Sequence, residues 1–356
     1  MFVLDSHCDT PSQILRLRDL SIDNEYAHVD FQKLKAGVID GAFFALYIPA
    51  SLDSDPSAAW AYAMKLYGGV MSSLKENPER AALATSKEEA LENKKKGLFS
   101  VFLGLENASP IGNSIEKLQV LYDMGIRYIT LCHSGNNEVC DSCATSDKRW
   151  GGLSPFGREV VAEMNRLGIL VDVSHVSDDT FIDVISCSKS PVVATHSCCR
   201  TLASHPRNMT DDMICSLAEH DGVIQINFYP VFLDSEFASI LKDSGIMERG
   251  EVVEQEFIMD PSDSQKRAAW NAVQKELQML ERPSYKLIAD HIDHVVRLAG
   301  IDHVGLGSDF DGIEVTPEGM EDASCFYRII DELRSRGYTE EDLEKIAGDN
   351  FFRLMA

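Results

Sequence analysis

The sequence predicts an α/β protein whose core is a (β/α)8 TIM-like barrel. Eight short runs of β-branched and aromatic residues alternate with amphipathic stretches along the 356 residues. Each run is apolar at both odd and even positions, which is typical of parallel strands buried on both faces. A doubly wound open sheet is the alternative, but no G-x-G-x-x-G pattern follows the first run. The predicted strands cover residues 2–7, 41–49, 99–107, 127–134, 170–177, 191–197, 223–230 and 303–310.

The helices between these strands have recognisable ends. Ser154 precedes a helix that ends at Gly168, and Thr210 precedes another, since Ser and Thr side chains cap helix N-termini. A third predicted helix follows Ser114 and stops at Gly125. Alternation of such helices with buried parallel strands is the pattern of a barrel.

Two segments are longer than a plain repeat of strand and helix requires. Residues 51–98 link the second and third strands and are predicted to be mostly helical. Residues 231–285 form a polar, helical insertion between the seventh and eighth strands, which we expect to be a lid or an oligomer contact. With this insertion, residues 1–356 are expected to form a single domain.

Composition excludes several classes of partner. Lys and Arg number 33 and Asp and Glu number 57, so the formal net charge is −24. Binding to nucleic acid or to an anionic membrane needs a clustered basic surface, so neither partner is expected. No 18 consecutive apolar residues occur, so no membrane span is expected. The opening MFVLDSHCDTP does not resemble a signal sequence, and nine cysteines suit free thiols, so we expect a cytoplasmic location.

Ionisable residues stand at the ends of six predicted strands. In a barrel the carboxyl ends of all strands open onto one face, where active sites lie. Six strands therefore deliver titratable side chains to one small volume. These residues are His7 with Asp9, then Glu106, His133, His175, His196 and Asp309.

The spacing of these residues favours a metal centre. His7 and Asp9 are two residues apart, so on a strand both side chains point the same way. Imidazole and carboxylate groups are ligands that zinc accepts, and Glu106 has two oxygens with which to bridge two ions. His175 and His196 would complete the second ion, and two metals roughly 3.5–4 Å apart would hold a hydroxide nucleophile. A lone strand-end histidine is more often structural, so the joint placement is the evidence.

A series of motifs extends from residue 5 to residue 354, and it resembles that of the membrane (renal-type) dipeptidases. These are zinc dipeptidases (peptidase family M19) among the amidohydrolase-like metal-dependent hydrolases. The run between residues 151 and 212 is the longest and most specific part. The motifs are DSHCDTP, GLENASPIG, RYITLCHSGNN, GLSPFGREVVAEMNRLGILVDVSHVS, PVVATHS, HPRNMTDD, HVGLGSDFDG and IAGDNFFRLM.

The resemblance implies a TIM-like barrel that holds two Zn²⁺ ions, although such sites also accept Mn²⁺, Co²⁺ or Fe²⁺. Glu106 matches the bridging ligand, which is a carboxylated lysine in many amidohydrolases. The family's metal ligands match His7, Asp9, Glu106, His175 and His196 one by one.

Three further residues match family roles outside the metal ligands. His133 matches a histidine that contacts the substrate near the scissile carbonyl group. Arg207 matches an arginine that holds the C-terminal carboxylate of the substrate, and Asp309 matches the aspartate assigned proton transfer. The resemblance thus implies His133 and Asp309 as catalytic residues and His133 and Arg207 as substrate-binding residues.

The implied reaction is hydrolysis of dipeptides, and some relatives accept a D-residue at the second position. A homodimer is also a family expectation. Animal relatives carry a signal peptide and a lipid anchor, whereas this chain resembles a soluble bacterial-type member. Two other functions stay open: an amidohydrolase acting on N-acyl amino acids or cyclic amides, and a non-catalytic metal-binding barrel.

Overall fold

The computed structural model describes residues 1–355, in which nine β-strands form one parallel sheet. A strand lies in each of the eight predicted runs, and one additional short strand lies between the second and the third. The strands are β1 (Leu4–Cys8), β2 (Gly41–Tyr47), β3 (Ala81–Leu83), β4 (Phe99–Glu106), β5 (Ile126–Thr130), β6 (Leu170–Asp172), β7 (Val192–Ser197), β8 (Val223–Ile226) and β9 (Val304–Leu306).

The sheet closes on itself almost completely, which confirms the (β/α)8 barrel. The strand order is β1-β2-β4-β5-β6-β7-β8-β9, all neighbours are parallel, and β3 pairs with β4 outside this path. Two backbone hydrogen bonds join the end of β9 to β1. The N–H of Asp309 donates to the carbonyl of His7 (3.0 Å), and the N–H of Asp9 donates to the carbonyl of Phe310 (2.8 Å). The first and last strands therefore present their carboxyl ends side by side.

Helices fill the connections between the strands. No helix among residues 1–355 combines the length and apolar character needed to cross a membrane. The helices are α1 (Thr10–Leu15), α2 (Phe31–Ala36), α3 (Pro56–Glu76), α4 (Lys87–Lys95), α5 (Lys117–Asp123), α6 (Pro155–Leu167), α7 (Asp178–Cys187), α8 (Asp211–Glu219), α9 (Pro230–Leu233), α10 (Ser235–Ser244), α11 (Ile246–Met259), α12 (Ser264–Gln278), α13 (Lys286–Ala299), α14 (Tyr327–Ser335), α15 (Glu340–Glu344) and α16 (Asn350–Leu354).

Three predicted helix ends are confirmed, and the start of one helix is shifted. The side chains of Ser154 and Thr210 accept hydrogen bonds from the first turns of α6 and α8, and Gly168 ends α6 in a left-handed conformation. The helix predicted directly after Ser114 begins instead at Lys117. The physical reason is that the Ser114 hydroxyl donates to the Glu116 carboxylate (2.8 Å) rather than capping a helix.

The segment 51–98 contains α3 and α4, as predicted, but also β3, which the sequence did not indicate. Residues 231–285, between β8 and β9, hold most of α9 together with α10, α11 and α12, which confirms a helical insertion. Among residues 1–355, two ion pairs join it to the rest of the chain. Arg16 Nη1 at the end of α1 lies 2.9 Å from Glu254 Oε1 on α11, and Arg282 Nη2 lies 3.7 Å from Glu321 Oε1. Its role as a lid or an oligomer contact stays a prediction.

An aromatic cluster fills the interior of the barrel below the carboxyl ends of the strands. The ring of Phe43 lies 4.9 Å from those of Phe102 and Phe351 and 5.1 Å from that of Tyr128, measured between centroids. Gly104 makes room for this cluster, since a Cβ there would lie 2.2 Å from Tyr128 Cζ. We call these four rings the aromatic floor. The hydroxyl of Tyr128 extends from this cluster towards the carboxyl ends of the strands and lies 2.8 Å from His7 Nδ1.

Candidate active site

The five predicted metal ligands meet at the carboxyl ends of their strands. Glu106, the last residue of β4, lies at the centre of the group. Its Oε2 is 3.5 Å from His7 Nε2, whereas its Oε1 is 3.0 Å from His175 Nε2 and 3.5 Å from His196 Nε2. Asp9 completes the first side, with Oδ2 at 3.3 Å from His7 Nε2. The two oxygens of one carboxylate therefore face two different sets of ligand atoms.

Two polar atoms in this group are buried without a hydrogen-bond partner. Among residues 1–355, His7 Nε2 and Asp9 Oδ1 have no hydrogen-bond partner although both are inaccessible to solvent. His175 Nε2 and His196 Nε2 lie only 2.8 Å apart. Buried polar atoms are normally hydrogen-bonded, so converging polar atoms without partners need an explanation. Imidazole and carboxylate atoms in this arrangement fit a bound cation.

The charge state of the metal-free site follows from burial. Burial lowers the pKa values of His175 and His196 well below the ordinary histidine value, so both imidazoles are neutral and have a nitrogen lone pair available. Burial also raises the pKa of Asp9 to about 6, and the neighbouring Glu106 carboxylate adds to this rise. For His7, burial opposes the charged form, but the carboxylates of Glu106 and Asp9 outweigh it and raise the pKa.

His133 lies on the solvent side of the ligand group. Its ring is 4.3 Å from that of His175 and 4.8 Å from that of Tyr47, and its Nε2 is 4.0 Å from Glu106 Oε1. Burial lowers its pKa to about 3, with a further contribution from the positive charge of Arg207. His133 is therefore a neutral imidazole within reach of any group bound beside Glu106.

Asp309 lies on the opposite side of the group, next to His7. Its Oδ1 is 3.9 Å from His7 Nε2, and its Oδ2 accepts a hydrogen bond from the Asn227 side chain (2.8 Å). The residue has a left-handed backbone (φ 63°), which a non-glycine residue rarely adopts. Burial raises its pKa to about 6. One carboxylate oxygen is thus held in place while the other faces the site.

The side chains that could hold a metal ion include two residues besides the five predicted ligands. Three overlapping sets have their ligand atoms within 4.8 Å of one another: His7–Glu106–His196, Glu106–His133–His175 and His7–Asp9–Asp309. His133 and Asp309 are therefore close enough to contact an ion as well as a substrate.

Arg207 is buried beside His196, one of the two histidines that face Glu106 Oε1. Its Nη2 donates to the backbone carbonyl of His196 (2.9 Å), and its guanidinium carbon lies 5.3 Å above the ring of Phe232. Among residues 1–355, its Nε and Nη1 have no hydrogen-bond partner and are inaccessible to solvent. A buried guanidinium without an anionic partner is unfavourable, so its two free donors can receive an anion.

The structure adds residues that the strand-end reasoning did not include. Asn227 directly follows β8 and donates a hydrogen bond to Asp309. A polar residue at the end of an apolar strand is a sequence signal that could have identified it. Tyr128 places its hydroxyl 2.8 Å from His7 Nδ1. Tyr47 packs edge to face on His133. No sequence signal separates these two tyrosines from ordinary aromatic core residues.

Comparison with known proteins agrees with this geometry. The family model of the membrane dipeptidases (Peptidase family M19) matches residues 1–356. Dipeptidase verJ of Clonostachys rogersoniana is 31% identical over 368 residues, which cover 99% of this chain and 83% of that protein.

Two solved structures share the fold over the whole chain. The probable dipeptidase PvdM from Pseudomonas aeruginosa has a TM-score of 0.84 at 25% identity, covering 100% of this chain and 94% of that one. The dipeptidase AC, a metallopeptidase of family M19, has a TM-score of 0.77 at 25% identity, covering 100% and 98%. The chain therefore belongs to the membrane dipeptidase family, peptidase family M19, and is a metallo-dipeptidase.

Proposed function

We propose that this site holds two zinc ions and hydrolyses the peptide bond of dipeptides, including those with a C-terminal D-residue. The observation that carries the proposal is the buried guanidinium of Arg207, whose Nε and Nη1 have no partner among residues 1–355. A substrate with a free carboxylate would supply the missing anion, and an Arg–carboxylate pair is favoured by its two parallel hydrogen bonds. The Arg207 guanidinium lies beside His196 in the ligand group. A substrate whose C-terminal carboxylate binds there and whose scissile bond lies at the ions would therefore be short.

His7, Asp9 and Glu106 would hold one ion, and Glu106, His175 and His196 would hold the other. The division follows from Glu106, whose Oε2 faces His7 and whose Oε1 faces His175 and His196. When bound, the two ions supply Lewis-acid activation of a water molecule and of the scissile carbonyl group. The residues packed around the five ligand side chains would keep other water molecules out and hold the metal-binding atoms in place.

Asp309 is the residue we assign to proton transfer. Asn227 occupies its Oδ2, so Oδ1 is the oxygen free to accept a proton from the attacking water. The same oxygen then returns the proton to the amine that leaves. A carboxylate whose pKa lies between that of an ordinary aspartate and neutrality is suited to both steps.

His133 is assigned to the carbonyl oxygen of the substrate. The hydroxyl of Ser134 lies 3.1 Å from His133 Nδ1 and can donate to it, which leaves the proton of the neutral ring on Nε2. Nε2 is the atom that faces the ligand group. A donor in this position stabilises the negative charge that develops on the carbonyl oxygen in the transition state.

The test compares three substrates with the same side chains: a free dipeptide, its N-acetylated form and its C-terminal amide. The zinc-loaded chain should cleave the free dipeptide and lose most of its activity on the amide, which lacks the carboxylate. Cleavage of the amide and the free dipeptide at equal rates would contradict the role of Arg207.

The same panel separates the alternative functions. Preference for an N-acyl amino acid or a cyclic amide would identify an amidohydrolase, and no hydrolysis with zinc bound would identify a non-catalytic barrel. Matched L,L- and L,D-dipeptides test the stereochemistry, and a chelator-treated sample is the control. The homodimer, the cytoplasmic location and the role of residues 231–285 stay predictions.

A further inference from the structure

A fully buried aspartate lies one layer below the proposed ligands. Asp172, the last residue of β6, has no exposed surface and accepts five hydrogen bonds. An acidic residue at the end of an apolar strand is unusual, because a buried charge is costly unless hydrogen bonds satisfy it. The five donors come from three neighbours: the hydroxyl of Thr130, and both the backbone N–H and the hydroxyl of Ser174 and Thr195.

The hydroxyl protons of this network can be assigned. Ser174 Oγ donates to Asp172 Oδ1 (2.6 Å) and itself accepts from the backbone N–H of His196 (3.1 Å). Thr195 Oγ1 donates to Asp172 Oδ2 (2.7 Å). A hydroxyl group has a single proton, so the donation to Asp172 uses the only one that Thr195 has.

His196 then has only one compatible tautomer. Its Nδ1 lies 2.9 Å from Thr195 Oγ1, and this oxygen has no proton left to give. The hydrogen bond must therefore run from His196 Nδ1–H to Thr195 Oγ1. The proton of the neutral ring is held on Nδ1. Its Nε2 then has a free lone pair within the ligand group, 2.8 Å from His175 Nε2 and 3.5 Å from Glu106 Oε1.

We propose that Asp172 is a positioning residue that fixes the metal-binding tautomer of His196 through the hydroxyl group of Thr195. The hydrogen bonds run from carboxylate to hydroxyl to imidazole, and Asp172 itself would contact neither the substrate nor the ion. Partners of this kind orient histidine ligands and raise their basicity. His175 differs, because no hydrogen bond among residues 1–355 reaches its Nδ1. The inference rests on the proposed metal centre and does not depend on the substrate.

The test uses two substitutions that remove the same kind of hydrogen bond. Thr195→Val deletes the hydroxyl that links Asp172 to His196. Thr130→Val is the matched control, because Thr130 Oγ1 also donates to Asp172 Oδ2 (2.5 Å) but does not contact His196. Thr195→Ser restores the hydroxyl and is the rescue variant. The zinc retained by each full-length chain is measured against increasing concentrations of a chelator.

We expect Thr195→Val to hold one zinc equivalent about 10–100-fold more weakly than the wild type, a typical cost of losing such a partner. Thr130→Val and Thr195→Ser should retain zinc as the wild type does. Equal weakening in the two valine variants would mean that Asp172 only supports the fold, and unchanged affinity in Thr195→Val would also overturn the proposal.

A spectroscopic measurement tests the tautomer directly and needs no turnover. In the zinc-loaded chain labelled with ¹⁵N-histidine, the ring of His196 should carry its proton on Nδ1 and exchange it slowly with water. In Thr195→Val that exchange should become faster, whereas in Thr130→Val it should not change. A wild-type ring with its proton on Nε2 would overturn the inference even if the chain cleaves dipeptides. If Thr195→Val does not fold, the wild-type and Thr195→Ser spectra still decide.

Discussion

At one level of the barrel the rings of Phe102 and Phe351 pack against Phe43, each with its centroid 4.9 Å from that of Phe43. At the carboxyl ends of the strands, in contrast, His7 Nε2 and Asp9 Oδ1 are buried without hydrogen-bond partners. These side chains are buried at both levels, but their burial stabilises the fold at the first level and destabilises it at the second. Apolar area contributes roughly 25 cal/mol for each Å² removed from water. Ionisable groups, in contrast, cost several kcal/mol when buried without a counter-charge.

The difference shows where stability and function lie in this molecule. The aromatic floor supports the strand ends, and the strand ends hold groups that would not be buried for the sake of folding alone. A bound cation would offset the cost at the carboxyl ends of the strands, because it would add positive charge beside the buried carboxylates. Substitutions at the two levels should therefore affect different measurements, and four experiments test this separation.

The largest effect is expected for Asp309→Asn. The amide oxygen can still accept the hydrogen bond from Asn227, so the loop should keep its position while the proton acceptor is lost. Turnover should fall by about 10²–10⁴-fold, the usual contribution of general acid–base catalysis. Steady-state kinetics on a dipeptide measure this, and the zinc content per chain is the control. Wild-type turnover would remove Asp309 from the mechanism, and loss of zinc would instead identify it as a ligand.

A stability effect of comparable free energy is expected for Phe351→Ala. This ring is buried against Phe43 at the level of the aromatic floor, and removing a buried phenylalanine costs about 3–5 kcal/mol. The free energy of unfolding, measured in urea, should fall by that amount while KM stays near the wild-type value. Tyr327→Ala is the control, since this ring is 40% exposed and should contribute little. A large rise in KM would show that the two levels are coupled.

The sequence predicted which residues lie at the carboxyl ends of the strands better than it predicted the contacts beneath them. Glu106, His175 and His196 stood out because each ionisable residue ends an apolar run, and the barrel brings such ends to one face. Asp172 offered a similar signal, an acidic residue within the run LVDVSH, but its partners depend on the register between β6 and β7. Tyr128 offered none, because its contact with His7 follows from the position of its hydroxyl.

The start of the helix after Ser114 could not be predicted for a related reason. Whether a serine caps a helix or bonds to a nearby glutamate depends on a local competition that composition does not decide. Strand β3 was missed because its sequence, AAL, has no β-branched or aromatic residue. Strands β6 and β9 are equally short, but each contains a valine and lies in a longer apolar run. The fold class was therefore predictable, whereas individual boundaries were not.

A smaller effect is expected for Arg207→Ala. Loss of the guanidinium would remove the proposed anchor for the substrate carboxylate, which should cost roughly 2–3 kcal/mol, or about 30–160-fold in kcat/KM. Most of the change should appear in KM for free dipeptides, and little should appear for dipeptide amides. Steady-state kinetics on both substrates measure the difference. An unchanged KM for the free dipeptide would place the carboxylate anchor at another residue.

An effect of similar size to that of Arg207→Ala concerns the stability of the metal-free chain as a function of pH. Burial raises the pKa of Asp309 to about 6 in the folded chain, above the value of about 3.9 for an unfolded aspartate. Between these values the folded chain binds the proton and the unfolded chain does not, so ionisation of Asp309 costs stability as the pH rises. Asp309→Asn removes this cost. Its free energy of unfolding relative to the wild type should therefore increase between about pH 4 and pH 6, by roughly 2–3 kcal/mol, and stay constant above.

Urea unfolding of both metal-free chains at several pH values measures this difference. Phe351→Ala is the matched control from the aromatic floor, since it removes no titratable group and should lower stability by a similar amount at every pH. A pH-independent difference for Asp309→Asn would mean that Asp309 ionises as an ordinary carboxylate in the folded, metal-free chain. In that case only His7, Asp9 and Glu106 would contribute to the free-energy cost of burying ionisable groups at the carboxyl ends of the strands. The difference in stability between this level and the aromatic floor would then be smaller than the geometry of Asp309 indicates.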